Sequence, residues 1–290
     1  MFALLDIGSN SVRMGLFEKE NCIQKSLQTT RLGEGLHQTG ALSDASITRT
    51  LTAMREFITE AQERGASQIF AYATEAVRRA ENGKDFLSKA QETLGVTVDL
   101  LSGETEAEAG FTGAVAGDGA ILDIGGASTE IAVKKNGAFI YRKSIPVGCV
   151  VLKNACGEDT EKLTAYCAEK VKAFSDAPVE NLTGIGGTAT TLAALAVGMK
   201  RYDGAKITGT FISEEKLGSA REFLQGASLE DRVEAGVPKG RADLIYGGAV
   251  WLCAIVKELS LLGYIASDAD NLEGYARMLV KQGVVKACEI

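Results

Sequence analysis

Short apolar runs alternate with amphipathic stretches along the whole chain. Phe2 to Leu5 reads as a buried strand, and Ser43 as the N-cap of a helix in which Ile47, Leu51, Met54, Ile58 and Ala61 recur at helical spacing up to Gly65. Ile69 to Ala73 is a short strand. Phe86, Leu87, Ala90 and Leu94 mark a second amphipathic helix ended by Gly95, after which Val96, Val98 and Leu100 alternate as a strand does. The second half repeats the theme. A strand at Ala120 to Ile124 has a hairpin partner at Thr129 to Val133, a helix runs through Leu163, Cys167, Val171 and Phe174, and Leu182 to Ile185 is again strand-like. Helices are predicted over Thr188 to Val197, Ser213 to Leu224, Arg241 to Leu259 and Leu272 to Lys281, with a strand at Tyr264 to Ala266. Such alternation implies layered α/β structure.

The segments Asp6-Ile7-Gly8-Ser9-Asn10-Ser11 and Asp123-Ile124-Gly125-Gly126-Ala127-Ser128 each follow an apolar strand directly, 117 residues apart. The echo predicts two related α/β halves, each opened by its own turn. In both turns the glycines permit positive φ and let backbone amides converge on an anion, and the hydroxyls add donors. The turns therefore read as phosphate cradles that grip one polyphosphate-like ligand from two sides. Asp6 and Asp123 end buried strands, where a carboxylate calls for a partner such as a metal or a metal-bound water, or else caps the turn. A third loop, Gly184-Ile185-Gly186-Gly187-Thr188-Ala189-Thr190, follows a strand and opens a helix, which suits a phosphate or a nucleotide.

Two further segments carry charge. Ser102-Gly103-Glu104-Thr105-Glu106-Ala107-Glu108 is either a solvated acidic first turn or the source of a general base for water. Arg78, just beyond the strand ending at Ala73, is either a bidentate phosphate ligand or half of a surface ion pair. His37 has no nucleophile or acid near it in sequence and reads as structural.

Composition narrows the function classes. The 290 residues hold 31 Lys+Arg against 38 Asp+Glu, a net charge of −7, which argues against a general nucleic-acid coat. At this length a chain buries about three-quarters of its unfolded surface, so the core needs no staples. The six cysteines show no C-x-x-C spacing, and one histidine does not complete a zinc set, so they read as reduced packing thiols of a cytoplasmic protein. The start of the chain lacks a secretory leader pattern, and Leu244 to Val256 is too short to span a bilayer, so no membrane partner is expected.

DIGSNSVRMGLFE at 6 to 18, RLGEGLHQTGALS at 31 to 43, ATEAVRRAENGKDFL at 73 to 87, LLSGETEAEAGFTGA at 100 to 114, ILDIGGASTEIAV at 121 to 133, GIGGTATTLAAL at 184 to 195 and RADLIYGGA at 241 to 249 together resemble the exopolyphosphatase / guanosine-pentaphosphate phosphohydrolase (Ppx/GppA) family over essentially the whole chain. The resemblance implies an actin-like, ribonuclease H-like duplicated fold: a first domain over 1–116, a second over 117–273, a C-terminal helix 274–290 packing back on the first, and an active site in the cleft between domains. It implies release of terminal phosphate from inorganic polyphosphate or guanosine pentaphosphate with Mg²⁺ or Mn²⁺ and a glutamate that activates water. That glutamate falls on Glu106, with Glu104 as the fallback, and Arg78 matches a phosphate-binding arginine. Phosphate contacts are expected from Gly8, Ser9, Asn10, Ser11, Arg13, Gly125, Gly126, Ser128, Gly186, Gly187 and Thr188. Metal contacts are expected from Asp123, Glu130 and Asp6, the last directly or through water.

The chain departs from the family pattern at Ala127 for a glycine, Thr105 for a glutamate and Glu108 for an arginine. It also departs in Ser267-Asp268-Ala269-Asp270-Asn271-Leu272-Glu273-Gly274, which lacks a glycine and an arginine. Glu108 lowers local positive potential, which bears on long-chain affinity rather than on hydrolysis. Arg13, Arg31, Arg78 and Lys84 are expected to keep the cleft positive on an acidic body. Longer family members carry a further C-terminal helical region, so less processive action is expected here, with short chains used relatively well. A guanosine pentaphosphate hydrolase, an actin-like kinase and a non-catalytic phosphate-ligand sensor are the competing readings, and a homodimer is among the assemblies the resemblance allows.

Overall fold

The structure is a computed structural model that describes residues 1–285. The chain divides into two compact units, Met1–Gly113 joined by the chain from Asn271 onward, and Ala114–Asp270.

The first unit is built on a five-stranded sheet. Its strands are β1 (Phe2–Ile7), β2 (Ser11–Glu18), β3 (Asn21–Thr29), β4 (Gln68–Ala73) and β5 (Val98–Leu100), in the order β3-β2-β1-β4-β5. β1, β2 and β3 form an antiparallel meander, and β4 and β5 add parallel to β1. Alternation along β1 and β2 separates two cores. Ala3, Leu5, Ile7, Val12, Met14 and Leu16 pack with the helices Asp44–Glu63 and Gly83–Leu94, whereas Phe2, Leu4, Phe17 and Tyr72 face Ala109 of the helix Gly103–Ala114 and Leu272, Tyr275, Ala276 and Leu279 of the helix Asn271–Lys281. The last helix is pinned by Tyr275 to Asp99 Oδ2 (3.0 Å), by Lys25 to Glu273 (2.6 Å) and by Arg277 Nη1 to the Thr112 carbonyl (2.6 Å).

The second unit repeats this plan with β6 (Gly119–Ile124), β7 (Thr129–Lys135), β8 (Ala138–Ile145), β9 (Leu182–Ile185), β10 (Phe211–Ser213) and β11 (Gly263–Ala266), in the order β10-β11-β9-β6-β7-β8. Read from β8 it is the same meander followed by two parallel strands, with β10 added antiparallel at the edge. The internal echo of the sequence is thus a duplicated topology, the two-domain actin-like α/β fold. One face of the sheet carries the core of Leu122, Ile124, Ile131, Leu152, Leu163, Leu192, Leu252 and Ile255, with Trp251 donating its indole N–H to Thr129 Oγ1 at 2.8 Å.

Several boundaries differ from the sequence expectation. The apolar helix starts at Ile245, not Arg241, because Lys239–Arg241 closes a separate 3-10 turn after Pro238. The helix through Leu163 is α-helical over Thr160–Lys170 and tightens to a 3-10 turn at Val171–Phe174. β3 and β8 escape a hydrophobic scan because they are half-exposed edge strands in which apolar and polar residues are mixed on both faces, Ile23, Leu27 and Ile140 among the exposed ones. Cys22, Cys149, Cys156, Cys167 and Cys253 are free thiols, and Cys288 lies outside the described residues, as does the end of the predicted segment 274–290.

Two packing features yield tests. A Cβ at Gly274 would strike the Ala109 carbonyl where the helices Asn271–Lys281 and Gly103–Ala114 cross. Gly274→Ala is expected to cost about 1–3 kcal/mol by overpacking, read as a lower thermal midpoint. In the second unit the buried Arg232 grips Glu158 with two 3.0 Å bonds and also donates to the carbonyls of Ala242 (2.8 Å) and Leu224 (2.7 Å). Hydrogen bonds from Arg232 hold the Glu158 carboxyl below its ordinary range, against the opposing effect of burial. With the folded pKa depressed, this stabilisation is present above the unfolded value, about 4.3, and disappears as pH falls through the folded one. Urea midpoints compared at neutral and acid pH should therefore fall less steeply for Glu158→Gln than for the parent.

Candidate active site

In each unit the candidate residues lie at the carboxyl ends of the parallel strands, where ligands of open α/β sheets bind. β1 runs into Gly8–Ser11, β4 into Thr74 and the short helix Glu75–Arg79, and β5 into the helix Gly103–Ala114. In the second unit β6 runs into Gly125–Ser128, β9 into the helix Gly186–Ala196 and β11 into Ser267. The strand ends are tied alike, with the Leu101 amide donating to the Ala73 carbonyl and the Ser267 amide to the Gly184 carbonyl, both at 3.0 Å.

The two Asp-Ile-Gly turns close with the same bond. Gly8 N–H donates to the Ser11 carbonyl and Gly125 N–H to the Ser128 carbonyl, each at 3.0 Å. Behind the first turn, the amides of Thr30 (3.0 Å) and Arg31 (2.9 Å) hold the Asn10 carbonyl, and that of Gly33 (2.8 Å) holds the Ser9 carbonyl. Behind the second, the helix Cys149–Cys156 directs its first amides backward: Cys149 to the Gly125 carbonyl (3.0 Å) and Val150 to the Gly126 carbonyl (2.8 Å). A trans peptide sets its carbonyl and the following N–H on opposite sides. Tying these carbonyls back therefore turns the amides of Asn10 and Ser11, and of Gly126 and Ala127, to the opposite side of each loop, the arrangement that receives an anion.

The glycine expectation needs correction. Gly8 and Gly125 do not adopt positive φ; a Cβ at either would press on the carbonyl that closes its turn, at 3.2 and 3.4 Å. Positive φ is used at Gly186 (72°), where a Cβ would also collide with the Asp123 carboxylate. In the third loop the Thr188 hydroxyl is committed to structure, donating to the Ile124 carbonyl at 2.8 Å and meeting Cys149 Sγ at 3.2 Å. Burial pushes the Cys149 thiol above its ordinary value, so it packs as a neutral group. Thr188 leaves its backbone amide, in the first turn of an 11-residue helix, as its contribution to an anion site.

Facing positions in the two hairpins carry different chemistry. Asp6 pairs in register with Arg13, and Asp123 with Glu130, so each pair shares one face of its sheet. Arg13 donates to Asp6 Oδ2 from Nε (2.9 Å) and from Nη2. The first unit thus meets its strand-end carboxylate with a guanidinium, and the second sets two carboxylates side by side. Ser144 Oγ donates to Glu130 Oε1 at 2.6 Å. No group of three or more His, Cys, Asp or Glu gathers at one place among the described residues, so a cation here would rely on two carboxylates.

Glu106 and Arg78 come together. The carboxylate, 5% exposed, accepts from Arg78 Nη1 at 2.9 Å. Nη1 also reaches the Leu101 carbonyl, and Nη2 pairs with Glu75 Oε2. Burial works against the guanidinium charge, but Glu106 and Glu75 outweigh it and raise the Arg78 pKa. Glu104 lies in the same helical turn as Glu106 without being buried. The sequence reading missed Glu75, although its position three residues before Arg78 was the available signal. It also missed Arg241, whose guanidinium lies against Gly187 at the start of the third-loop helix, where a Cβ would overlap it.

The Ppx/GppA phosphatase family model matches residues 13–279. The chain belongs to this family. It is 29% identical to Exopolyphosphatase 2 of Mycobacterium tuberculosis, covering 96% of this chain and 98% of that protein. It is 26% identical to a guanosine-5'-triphosphate,3'-diphosphate pyrophosphatase of Pseudoalteromonas atlantica, covering 94% of this chain and 57% of that one. A solved exopolyphosphatase-like protein superposes with a TM-score of 0.87 at 25% identity, covering 96% and 99% of the two chains. The protein is accordingly a phosphohydrolase, and no helix among the described residues is long and apolar enough to cross a membrane.

Thr188→Val removes a buried donor and strands the Ile124 carbonyl. It should cost about 1–3 kcal/mol and reduce phosphate release, whereas Thr188→Ser should retain both stability and activity. Denaturant unfolding and a phosphate assay on the two variants check this.

Proposed function

We propose that the protein is an exopolyphosphatase, releasing terminal orthophosphate from inorganic polyphosphate by attack of a Glu106-activated water. The observation that carries this reading is the tied-back turn built once in each unit, where the bound carbonyls direct successive amides to the opposite side of that loop. A polyanion of repeated phosphates suits a chain that builds such a turn twice. The family match and the 29% identity to Exopolyphosphatase 2 support the substrate class.

The reaction needs anion donors, charge neutralisation and a base. The donors are the amides of Asn10 and Ser11, of Gly126 and Ala127, and of Gly186, Gly187 and Thr188; those of Gly8 and Gly125, expected as phosphate contacts, are spent on the Ser11 and Ser128 carbonyls. Asp123 and Glu130 would hold Mg²⁺ or Mn²⁺: two hard oxygen donors fit an ion that takes one or two carboxylates and completes its shell with water and phosphate oxygens. When bound, the ion neutralises developing charge on phosphate oxygens. Asp6, the third expected metal ligand, meets the guanidinium of Arg13. Glu106 removes a proton from the attacking water as the water oxygen bonds to the terminal phosphorus. The bridging P–O bond breaks, leaving orthophosphate and a chain one unit shorter. The transition state is loose, so positioning and neutralisation supply most of the acceleration.

The kinship with the guanosine pentaphosphate enzyme favours one second reading, the same chemistry on that nucleotide. Glu106→Gln should fold with the parent circular dichroism spectrum and release phosphate about 10²–10⁴-fold more slowly. Short polyphosphate, long polyphosphate and guanosine pentaphosphate, assayed side by side with Mg²⁺, separate the readings. Release from the nucleotide alone selects the second, and near-full activity of Glu106→Gln removes the base assignment.

A further inference from the structure

The carboxylate of Glu75 is a buried acidic group that the reaction scheme leaves unused. It is 8% exposed, at the first position of the helix Glu75–Arg79, and one helical turn brings it onto the face that carries Arg78. Its Oε2 takes Arg78 Nη2, while Oε1 lies 3.9 Å from Arg79 Nε. The other terminal nitrogen of Arg78, Nη1, holds Glu106 Oε2 and the Leu101 carbonyl. The guanidinium is planar, so fixing Nη2 fixes the direction in which Nη1 points.

We propose that Glu75 is a positioning residue for the hydrolysis: by anchoring Nη2 it sets the plane of Arg78, and through Nη1 the orientation of the Glu106 carboxylate. The inference rests on the reading of Glu106 as the base. Arg78 is anchored at both ends inside the first unit, to Glu75 on its own helix and to Leu101 beyond β5. Glu106, on a different helix, is thereby referred to the ends of β4 and β5, in the same sheet as β1, whose end carries the first anion loop. A carboxylate with several rotatable bonds would otherwise sample orientations in which neither oxygen reaches the water, and small misplacements of a base are costly to rate.

The opposite role predicts the opposite kinetics. If Glu75 instead occupied Arg78 as a stand-in for a substrate phosphate, removing it would tighten substrate binding and leave turnover intact. The test is steady-state phosphate release from polyphosphate by Glu75→Ala and Glu75→Gln, with Glu106→Gln and the double variant Glu75→Ala/Glu106→Gln, below the thermal midpoint of each. The expected result is kcat lowered about 10- to 100-fold in Glu75→Ala with KM within about twofold of the parent. Glu75→Gln, which keeps an acceptor oxygen for Nη2, should recover most of kcat, and the double variant should be no slower than Glu106→Gln alone. Unchanged kcat in Glu75→Ala, a fall in KM alone, or losses that multiply in the double variant would each overturn the proposal. Near-full activity of Glu106→Gln would instead overturn the reading on which it rests.

Discussion

Peptide planarity, imposed at two turns, is the constraint on which the candidate site depends. Because a trans peptide opposes its carbonyl to the amide that follows, a loop whose carbonyls are bound from behind has no freedom in where its amides point. The first turn is bound from behind by the backbone of Thr30, Arg31 and Gly33, and the second by the first turn of the helix Cys149–Cys156. These are unrelated segments reaching one result. Arg31 itself takes φ of 51°, a conformation a long side chain rarely adopts, and its amide goes to the Asn10 carbonyl. Arg49 supports the same segment, donating from Nε to the Thr30 carbonyl at 3.0 Å.

The duplication has been used to divide labour. At the facing positions of the first hairpin the chain carries Asp6 and Arg13, a neutralised pair, while the second carries Asp123 and Glu130, two acids on one sheet face. Like charges set directly opposite destabilise a hairpin unless a cation or donors compensate, and Ser144 Oγ is one such donor, to Glu130 Oε1 at 2.6 Å. Glu106 sits in the first unit, on the helix that also buries Ala109 against β1 and β4. Its backbone is therefore set by core packing and its side chain by a guanidinium.

Much of this was legible from spacing. The predicted strands and helices, the Ser43 cap and the repeated Asp-Ile-Gly turn are local or periodic features and reappear in the folded chain, whereas β2, β3, β8, β10 and the helix Cys149–Cys156 were not predicted. Thr188 was legible only in part: its place at the start of a helix is local, but the commitment of its hydroxyl to Ile124 joins residues 64 positions apart. Gly8 and Gly125 show the same limit, since a glycine signals either positive φ or close approach, and composition does not distinguish them. Glu75 and Arg241 were passed over because an acid after a strand and an arginine before an apolar helix are ordinary surface residues until something is packed against them.

The α/β alternation, the duplication, the family and the residues able to carry phosphate chemistry are readable in the linear chain, because periodicity and short-range motifs are written in consecutive residues. Which charges meet is a property of the folded chain. Arg78 spans Glu75 and Glu106, Arg13 closes on Asp6, and Asp123 stands beside Glu130 because strand register and the placing of helices at strand ends bring them there. Such pairings join residues up to 28 positions apart, and their energies depend on burial and distance, quantities that exist only once the chain has folded.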